Sequence, residues 1–255
     1  MVKQDFKSPA TAELLPAICL DIETCHASLE AIEAEIALYK GQSNWKAETI
    51  EANKEKHADK VREKSALLDS APIATIGICD QDGDAVVFHW LRVDSGKLEN
   101  SVLSIKAGET ERDMLLAFRD FSNTSIDRDT AIVGFNLGFD LPKLRLAYVR
   151  HGLKPPDFLL PNSASQSVDV MRIFTRYYST KDLPFVGLDE VIKRLGIAPE
   201  GKQMEGKEAP VYVAKGFEGS EPDNNQWHKD LIIYNALDVL LTMRAFLILT
   251  GQTGD

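Results

Sequence analysis

The sequence predicts an α/β fold in which helices flank a mixed β-sheet. Two apolar runs, at 72–79 and 85–90, bracket an Asp-Gly turn, a pattern that is typical of an antiparallel hairpin. Further along, short apolar runs alternate with segments of helical period, as in parallel strands joined by helices. With 255 residues, of which 44% are hydrophobic, the chain can bury a sizeable core, and we expect residues 1–255 to form a single domain.

The first strand ends on two acidic residues. The apolar run 17–20 leads into Asp21 and Glu23, and side chains two positions apart in a strand point to the same face. A buried strand would therefore present both carboxylates together. The next acidic residue of interest, Asp140, follows the apolar run 131–135 at a predicted strand-to-helix junction.

The segment from about residue 27 to residue 70 interrupts the strand pattern. It is rich in Ala, Glu and Lys, contains no Pro, and has helical apolar spacing up to a break at 41–44. A second, more polar helix is predicted from about 45 to 68. We therefore expect an inserted helical hairpin after the first strand. The sequence leaves three alternatives for this hairpin: it contacts nucleic acid, it contacts a protein, or it packs only on its own core.

The later elements alternate in type. Helical spacing around 114–118 precedes the strand at 131–135, a helix from about 141 to 151 and a short strand at 168–170. Residues 201–225 mix Gly, Lys, Glu, Pro and Asp, which predicts a long surface connection. A long apolar segment of helical period, 231–247, then ends the chain.

The last helix carries Tyr234 and Asp238, which share one face because they lie four residues apart. Tyr178 and Asp182 have the same spacing, but Ser, Thr and Pro around them indicate a helix end. We interpret that second pair as a decoy. Asp169, in the short strand, is the competing acid, but no Tyr lies four residues before it.

The acidic residues predict a metal site. Carboxylate oxygens suit Mg²⁺ or Mn²⁺, and two such cations roughly 3.5–4 Å apart can clamp the attacking and leaving oxygens of a phosphoryl displacement. Without cations the acids would repel one another, and some would take up protons. The predicted metal ligands are Asp21, Glu23, Asp140 and Asp238.

In order along the chain, these signatures resemble those of the DEDD superfamily of 3′-5′ exonucleases, in the subgroup whose third motif is Tyr-x-x-x-Asp. Asp-Ile-Glu-Thr at 21–24 resembles the first motif, Asn-x-x-Phe-Asp at 136–140 the second, and Tyr234 with Asp238 the third. The stretch 187–196 is similar to the Leu-Asp-x-Val helix of this family. The motif Asp-Ile-Glu-Thr most resembles the first motif of the exonuclease domain of family B DNA polymerases. The resemblance implies a ribonuclease H-like fold.

The resemblance also implies a mechanism. Asp21 would bridge two divalent cations, the other three acids would complete their shells, and Tyr234 would orient the attacking water. Thr24 and Asn136, next to the first two motifs, are candidates to position the terminal nucleotide of the substrate, and the alternative is that they act as local capping or turn groups. The expected activity is removal of nucleoside 5′-monophosphates from the 3′ end of single-stranded DNA. The alternatives are a ribonuclease D-like 3′-5′ exoribonuclease and a non-catalytic module that binds nucleic acid or protein on the same fold.

The composition limits the partners. A net charge of −10 argues against a nonspecific coat on nucleic acid, although basic residues at 143, 145, 150, 172, 176 and 181 are candidates to face phosphates. No apolar run approaches ~20 residues, so no membrane contact is expected. Three cysteines without a paired pattern indicate a reducing, cytoplasmic location. A separate polymerase, a repair partner or self-association through the helical hairpin are the expected protein contacts.

Overall fold

The computed structural model describes residues 16–94, 96–97, 103–161, 163, 165–178, 185–198, 204–218 and 224–252. Its centre is a seven-stranded sheet with the strand order β4-β5-β3-β2-β1-β6-β7. The strands are β1 (Ala17–Thr24), β2 (Ile73–Asp80), β3 (Ala85–His89), β4 (Gly96–Lys97), β5 (Leu103–Ala107), β6 (Ala131–Gly134) and β7 (Ser167–Asp169).

The sheet is mixed, as the sequence predicts. β1 pairs antiparallel with β2 and parallel with β6, and β6 pairs parallel with β7. The predicted hairpin of β2 and β3 is confirmed. Its turn is held by the Asp80 side chain, which accepts hydrogen bonds from the backbone N–H groups of Asp82 and Asp84. β1 thus lies in the interior of the sheet, with neighbours on both sides.

Helices cover both faces of the sheet. They are α1 (Leu29–Ala37), α2 (Ala47–Glu63), α3 (Glu111–Ser125), α4 (Leu137–Arg150), α5 (Val170–Tyr177), α6 (Leu188–Arg194), α7 (Ala209–Phe217) and α8 (Asn224–Leu249). One apolar cluster joins the sheet to α3 and α4, and a second joins its other face to α5, α6, α7 and α8.

The alternation along β1 decides which side chains reach each face. Leu20 and Ile22 lie in the cluster of α3 and α4, whereas Cys19 lies in the cluster of α8. Asp21 and Glu23 have the same parity as Cys19, so they face the α8 side of the sheet. This arrangement places the two acids under the last helix, which contacts β1, β2 and β3.

The predicted helical hairpin between β1 and β2 is present as α1 and α2. Both helices are shorter than the sequence pattern indicates, since α1 ends at Ala37 and α2 at Glu63. A small apolar cluster that includes Ile32 and Val61 holds the two helices together. A ring contact between Tyr39 and His57, with centroids 5.1 Å apart, adds to it.

Two sequence-based expectations about helices are wrong. The helix expected from about residue 141 begins about one turn earlier, at Leu137, and Pro142 lies inside it. The predicted surface connection at 201–225 contains α7, whose buried residues include Pro210 and Val213. α7 packs on α8, so contacts distant in sequence stabilise it.

The helix α8 corrects the expectation about apolar length. Residues Asn225–Leu249 are long and apolar enough to cross a membrane by length and composition alone. However, 67% of the most apolar window is buried inside the fold, where α8 contacts β1, β2, β3 and β6. Packing against the sheet therefore accounts for the apolar character of this helix.

Candidate active site

Three of the four predicted metal ligands meet at one point. Asp21 and Glu23 project from β1 toward α8, and Asp238 projects from α8 toward β1. One ligand atom from each of the three carboxylates lies within 4.8 Å of the others. Asp238 is only 8% exposed. A strand and a helix that are more than two hundred residues apart in sequence thus bring these carboxylates together.

Asp140 lies beside this group without belonging to the set within 4.8 Å. It is in the first turn of α4 and is 4% exposed, and its Oδ2 has no hydrogen-bond partner among the described residues. Burial raises the pKa of Asp140 well above its usual range, and the negative charges of Asp21 and Asp169 raise the pKa further. The carboxylate of Asp140 is therefore held in a position that favours a cation or a proton.

Tyr234 lies one helical turn before Asp238 and shares its face. The Tyr234 hydroxyl is hydrogen-bonded to Asp238, and its pKa is raised by burial and by the charges of Asp238 and Glu23. The phenol therefore stays protonated and can donate a hydrogen bond to Asp238. A side chain at Gly206 would come within 3.1 Å of the hydroxyl, so the turn at 206–208 forms a wall of the site.

Asn235 is a site residue that the sequence analysis does not identify. Its side-chain N–H donates a 2.7 Å hydrogen bond to Oδ2 of Asp21, and the residue is fully buried. Gly77 on β2 leaves room for it, since a Cβ there would lie 2.6 Å from the Asn235 Oδ1. The available signal was an amide within an otherwise apolar stretch of α8, because buried amides are retained where they have partners.

The two residues predicted to bind substrate make internal contacts. The hydroxyl of Thr24 is buried and donates a 3.0 Å hydrogen bond to the carbonyl of Ala66, which ties β1 to the segment after α2. Asn136 has a left-handed backbone, with φ 64°, at the junction of β6 and α4. Its N–H donates to Oδ1 of Asp169 at 3.1 Å. Substrate contact by Thr24 and Asn136 stays a prediction.

The competing acid and the decoy tyrosine also have local partners. Besides the Asn136 N–H, Asp169 Oδ1 accepts the N–H of Met171 and so caps α5. The Tyr178 hydroxyl donates a 2.8 Å hydrogen bond to the carbonyl of Leu249 at the end of α8. Asp182 lies outside the described residues. Neither Asp169 nor Tyr178 is part of the carboxylate group at Asp21.

The candidate phosphate-facing residues divide into two sets. Lys143 is buried and donates to the carbonyl of Leu68, and Arg150 pairs with Glu111 at 2.7 Å. The Nε–H of Arg145 donates a 2.8 Å hydrogen bond to the carbonyl of Leu159. These three residues therefore anchor α4 to neighbouring segments. Arg172 and Arg176 are exposed on α5. Lys181 lies outside the described residues.

Cys25 follows the first motif but is not suited to act as a nucleophile. It is buried, and burial raises the pKa of its thiol to about 12. The thiolate, which is the nucleophilic form, is therefore disfavoured at neutral pH. None of the three cysteines forms a disulfide.

The donor set fits a divalent cation. All four side chains offer hard oxygen atoms, three of them within 4.8 Å of one another, and the fourth has a buried oxygen without a hydrogen-bond donor among the described residues. Among the residues that the structure describes, no lysine or arginine forms an ion pair with Asp140. A cation would supply the missing positive charge.

Comparison with known proteins identifies the family. A family model described as RNase H superfamily matches residues 71–247, a range that contains Asp140, Tyr234 and Asp238 and begins after the strand with Asp21 and Glu23. No curated protein matches the chain. The mixed sheet flanked by helices agrees with an RNase H-like α/β fold. Because the match spans well over half of the sequence, the chain belongs to the RNase H superfamily.

Proposed function

We propose that the protein is a metal-dependent 3′-5′ exonuclease that removes nucleoside 5′-monophosphates from the 3′ end of single-stranded DNA. The observation that carries this proposal is the convergence of Asp21, Glu23 and Asp238 beside the Tyr234 hydroxyl. Membership of the RNase H superfamily supports a nuclease-type hydrolase. The Tyr-x-x-x-Asp spacing on α8 supports exonuclease over endonuclease chemistry.

Asp21, Glu23, Asp140 and Asp238 would hold two divalent cations, Mg²⁺ or Mn²⁺. Such cations would offset the negative charge of the phosphoryl displacement and lower the pKa of the attacking water. The fit rests on oxygen donors alone, which these metals prefer over nitrogen and sulfur. The Oδ2 of Asp140, which has no hydrogen-bond partner among the described residues, supports the same assignment.

Tyr234 would orient the nucleophile. Its raised pKa keeps the phenol neutral, so it does not act as a base. A hydroxyl that donates to Asp238 still has oxygen lone pairs that can accept a hydrogen bond from water. The turn at Gly206 would keep that water in place, because it lies against the same hydroxyl.

Asn235 would hold the Asp21 carboxylate in position without binding the metal itself. Its hydrogen bond to Oδ2 of Asp21 fixes the rotamer of that carboxylate and leaves the other oxygen directed away from the amide. Because Asn235 is adjacent to Tyr234 and close in sequence to Asp238, one helix positions all three groups. A small shift of α8 would therefore disturb the whole arrangement.

The proposal is tested with purified protein and 5′-labelled DNA and RNA oligonucleotides of one sequence, in Mg²⁺, in Mn²⁺ or in EDTA. We expect a ladder that shortens from the 3′ end of the DNA, nucleoside 5′-monophosphate as the product, and no reaction in EDTA. A faster reaction on RNA would assign the exoribonuclease alternative. Cleavage of a closed circle, or activity that persists in EDTA, would overturn the proposal.

A matched pair of variants on α8 locates the activity. Asp238→Asn removes a proposed ligand, whereas Asp230→Asn changes an acid two turns earlier whose partner is Gln226. Loss of a ligand costs several kcal/mol of transition-state stabilisation, which lowers the rate by about a hundredfold or more. We expect Asp230→Asn to retain normal rates. Equal rates for both variants would place the chemistry elsewhere.

A further inference from the structure

A groove lies between α4 and α5, beside the junction of β6 and α4. Its volume is about 560 Å³, and it begins where Leu137 and Asp169 flank the junction that carries Asn136. It continues along α4 to Arg145 and along α5 to Tyr177. We call this feature the arginine groove, because Arg145, Arg172 and Arg176 line it.

The charge of the arginine groove is opposite to that of the whole chain. The protein has 39 acidic and 29 basic residues, yet the described lining of this groove contains three arginines and a single acid, Asp169. Two hydrogen bonds from backbone N–H groups already occupy Oδ1 of that acid. A local positive surface on an acidic protein selects for an anionic ligand.

The two arginines on α5 are free to meet such a ligand. Arg172 and Arg176 lie four residues apart, so their side chains leave the same face of the helix. The Arg172 side chain is 77% exposed, and its ion pair with Asp169 is a long one at 3.6 Å. The Asp169 side chain is only 11% exposed, but the long distance and the exposed guanidinium leave Arg172 available for a charge-assisted contact with a phosphate.

An aromatic side chain completes the lining. Tyr177 is 67% exposed, and the guanidinium of Arg176 lies 5.2 Å from the centre of its ring. The exposed ring stands at the end of the basic groove, in its lining. Cations beside an aromatic face are the combination by which proteins bind single-stranded nucleic acid, with phosphates on the cations and bases on the ring.

We infer that the arginine groove binds the single strand upstream of the 3′-terminal nucleotide, with phosphates on Arg172 and Arg176 and a base stacked on Tyr177. This inference rests on the proposed function, because it assigns the path of the substrate to that site. A duplex does not satisfy it, since the faces of a base inside a duplex are covered by the neighbouring stacked bases. The groove approaches the carboxylates because Asp169, which lines it, accepts a hydrogen bond from the N–H of Asn136, four residues before Asp140.

The test compares a long and a minimal substrate. The long one is a 5′-fluorescein-labelled thymidine dodecamer, and the minimal one is the p-nitrophenyl ester of thymidine 5′-monophosphate, which is too short to reach α5. We expect Arg172→Gln with Arg176→Gln to raise KM for the dodecamer about tenfold or more, with far less effect on the ester. The slope of log KM against log salt should fall by about 1.4, since two single-strand phosphate contacts are lost.

Two further variants separate the effect of charge within the groove from the effect of overall charge and from the effect of base stacking. Arg112→Gln with Arg128→Gln removes the same charge from exposed positions outside the groove, and it should leave the salt slope unchanged. Tyr177→Ala should weaken dodecamer binding about 5- to 100-fold at every salt concentration, because stacking is not ionic. Equal losses for the groove pair and the control pair would overturn the inference, and so would equal losses on dodecamer and ester.

Failure of the two proposals can be told apart by binding. If the wild-type protein hydrolyses neither substrate, the exonuclease proposal fails, and fluorescence anisotropy with the labelled dodecamer still tests the groove. Binding that the groove variants lose would support the groove without catalysis. No binding by the wild-type protein, or tighter binding of a duplex than of the single strand, would overturn it.

Discussion

At the scale of single residues, Tyr234 offers the clearest test, since its ring and its hydroxyl have separable roles. Tyr234→Phe keeps the buried ring but removes the hydroxyl that bonds to Asp238. If the hydroxyl orients the attacking water, kcat should fall by roughly ten- to a thousandfold with little change in substrate binding. Single-turnover cleavage of a labelled strand measures this effect.

The matched control is Tyr178→Phe, which removes a hydroxyl at the same spacing from an acid. The Tyr178 hydroxyl bonds to the carbonyl of Leu249, so its loss should cost about 1 kcal/mol of unfolding free energy and leave kcat unchanged. A silent Tyr234→Phe beside a slow Tyr178→Phe would show that the third motif lies at residues 178–182.

Asn235 supports the second residue-scale prediction. Asn235→Ala removes the hydrogen bond that holds Oδ2 of Asp21, so we expect the apparent Mg²⁺ affinity to fall about 10- to 100-fold. The measurement is the cleavage rate as a function of Mg²⁺ concentration. Met243→Ala is the control, because it creates a cavity at a buried position of the same helix. It should lower stability without moving the Mg²⁺ midpoint. Equal midpoints for the two variants would remove Asn235 from the site.

The predictability of the site differs from residue to residue. Asp21 and Glu23 stand out in the sequence because they follow an apolar run, and Asp238 stands out because it interrupts one. The structure brings these three acids together. The role of Asn235 on α8 depends on Gly77 in β2, so no local pattern contains it. The bond from Thr24 to Ala66 spans the helical hairpin and likewise requires tertiary structure.

At the scale of elements, α7 shows why packing can override local preference. Its nine residues include Pro210, Gly216 and two β-branched valines, which are weak helix formers. His228 on α8 compensates by tying three segments together. Its Nδ1 accepts the N–H of Arg92, and its Nε2–H donates to the carbonyl of Val213 in α7. The helix therefore exists because α8 and the segment after β3 hold it.

Gly216 makes this close approach possible, which gives an element-scale prediction. A Cβ at Gly216 would overlap the imidazole ring of His228, so Gly216→Ala should lower the free energy of unfolding by about 1–3 kcal/mol. Gly138→Ala is the matched control, since Gly138 is also helical and a Cβ there would approach only Arg172 within 4 Å among the described residues outside its own stretch of helix. It should be neutral or stabilising by about 0.5–1 kcal/mol. Urea unfolding measures both, and equal effects would contradict the close contact.

At the scale of the whole molecule, the sequence indicates the class of fold but not the strand order. Periodicity identifies the β2–β3 hairpin and the later alternation, because both are local patterns. The position of β1 between β2 and β6 depends on pairings across the helical hairpin and across more than a hundred residues. That position in turn sets the site, since it places Asp21 beneath α8.

The metal-free carboxylate cluster should lower the stability of the whole fold. Folding raises the pKa of Asp140, so the folded state binds a proton more tightly than the unfolded chain does. The penalty is absent below the unfolded pKa, near 3.8, and it grows as pH rises above that value. In EDTA, the wild-type protein should therefore gain stability as pH falls from neutral, relative to a variant without this acid.

Asp140→Asn is that variant, and it gives the last prediction. In EDTA at neutral pH, it should melt higher than the wild-type protein by at least about 2–4 °C, the shift that 1 kcal/mol produces in a chain of this size. Mg²⁺ should raise the melting temperature of the wild-type protein more than that of the variant, because a cation relieves the repulsion that the variant lacks. Asp230→Asn, outside the cluster, should respond to Mg²⁺ like the wild-type protein. A lower melting temperature for Asp140→Asn in EDTA would instead show that this carboxylate stabilises the fold, and it would count against a cation site at Asp140.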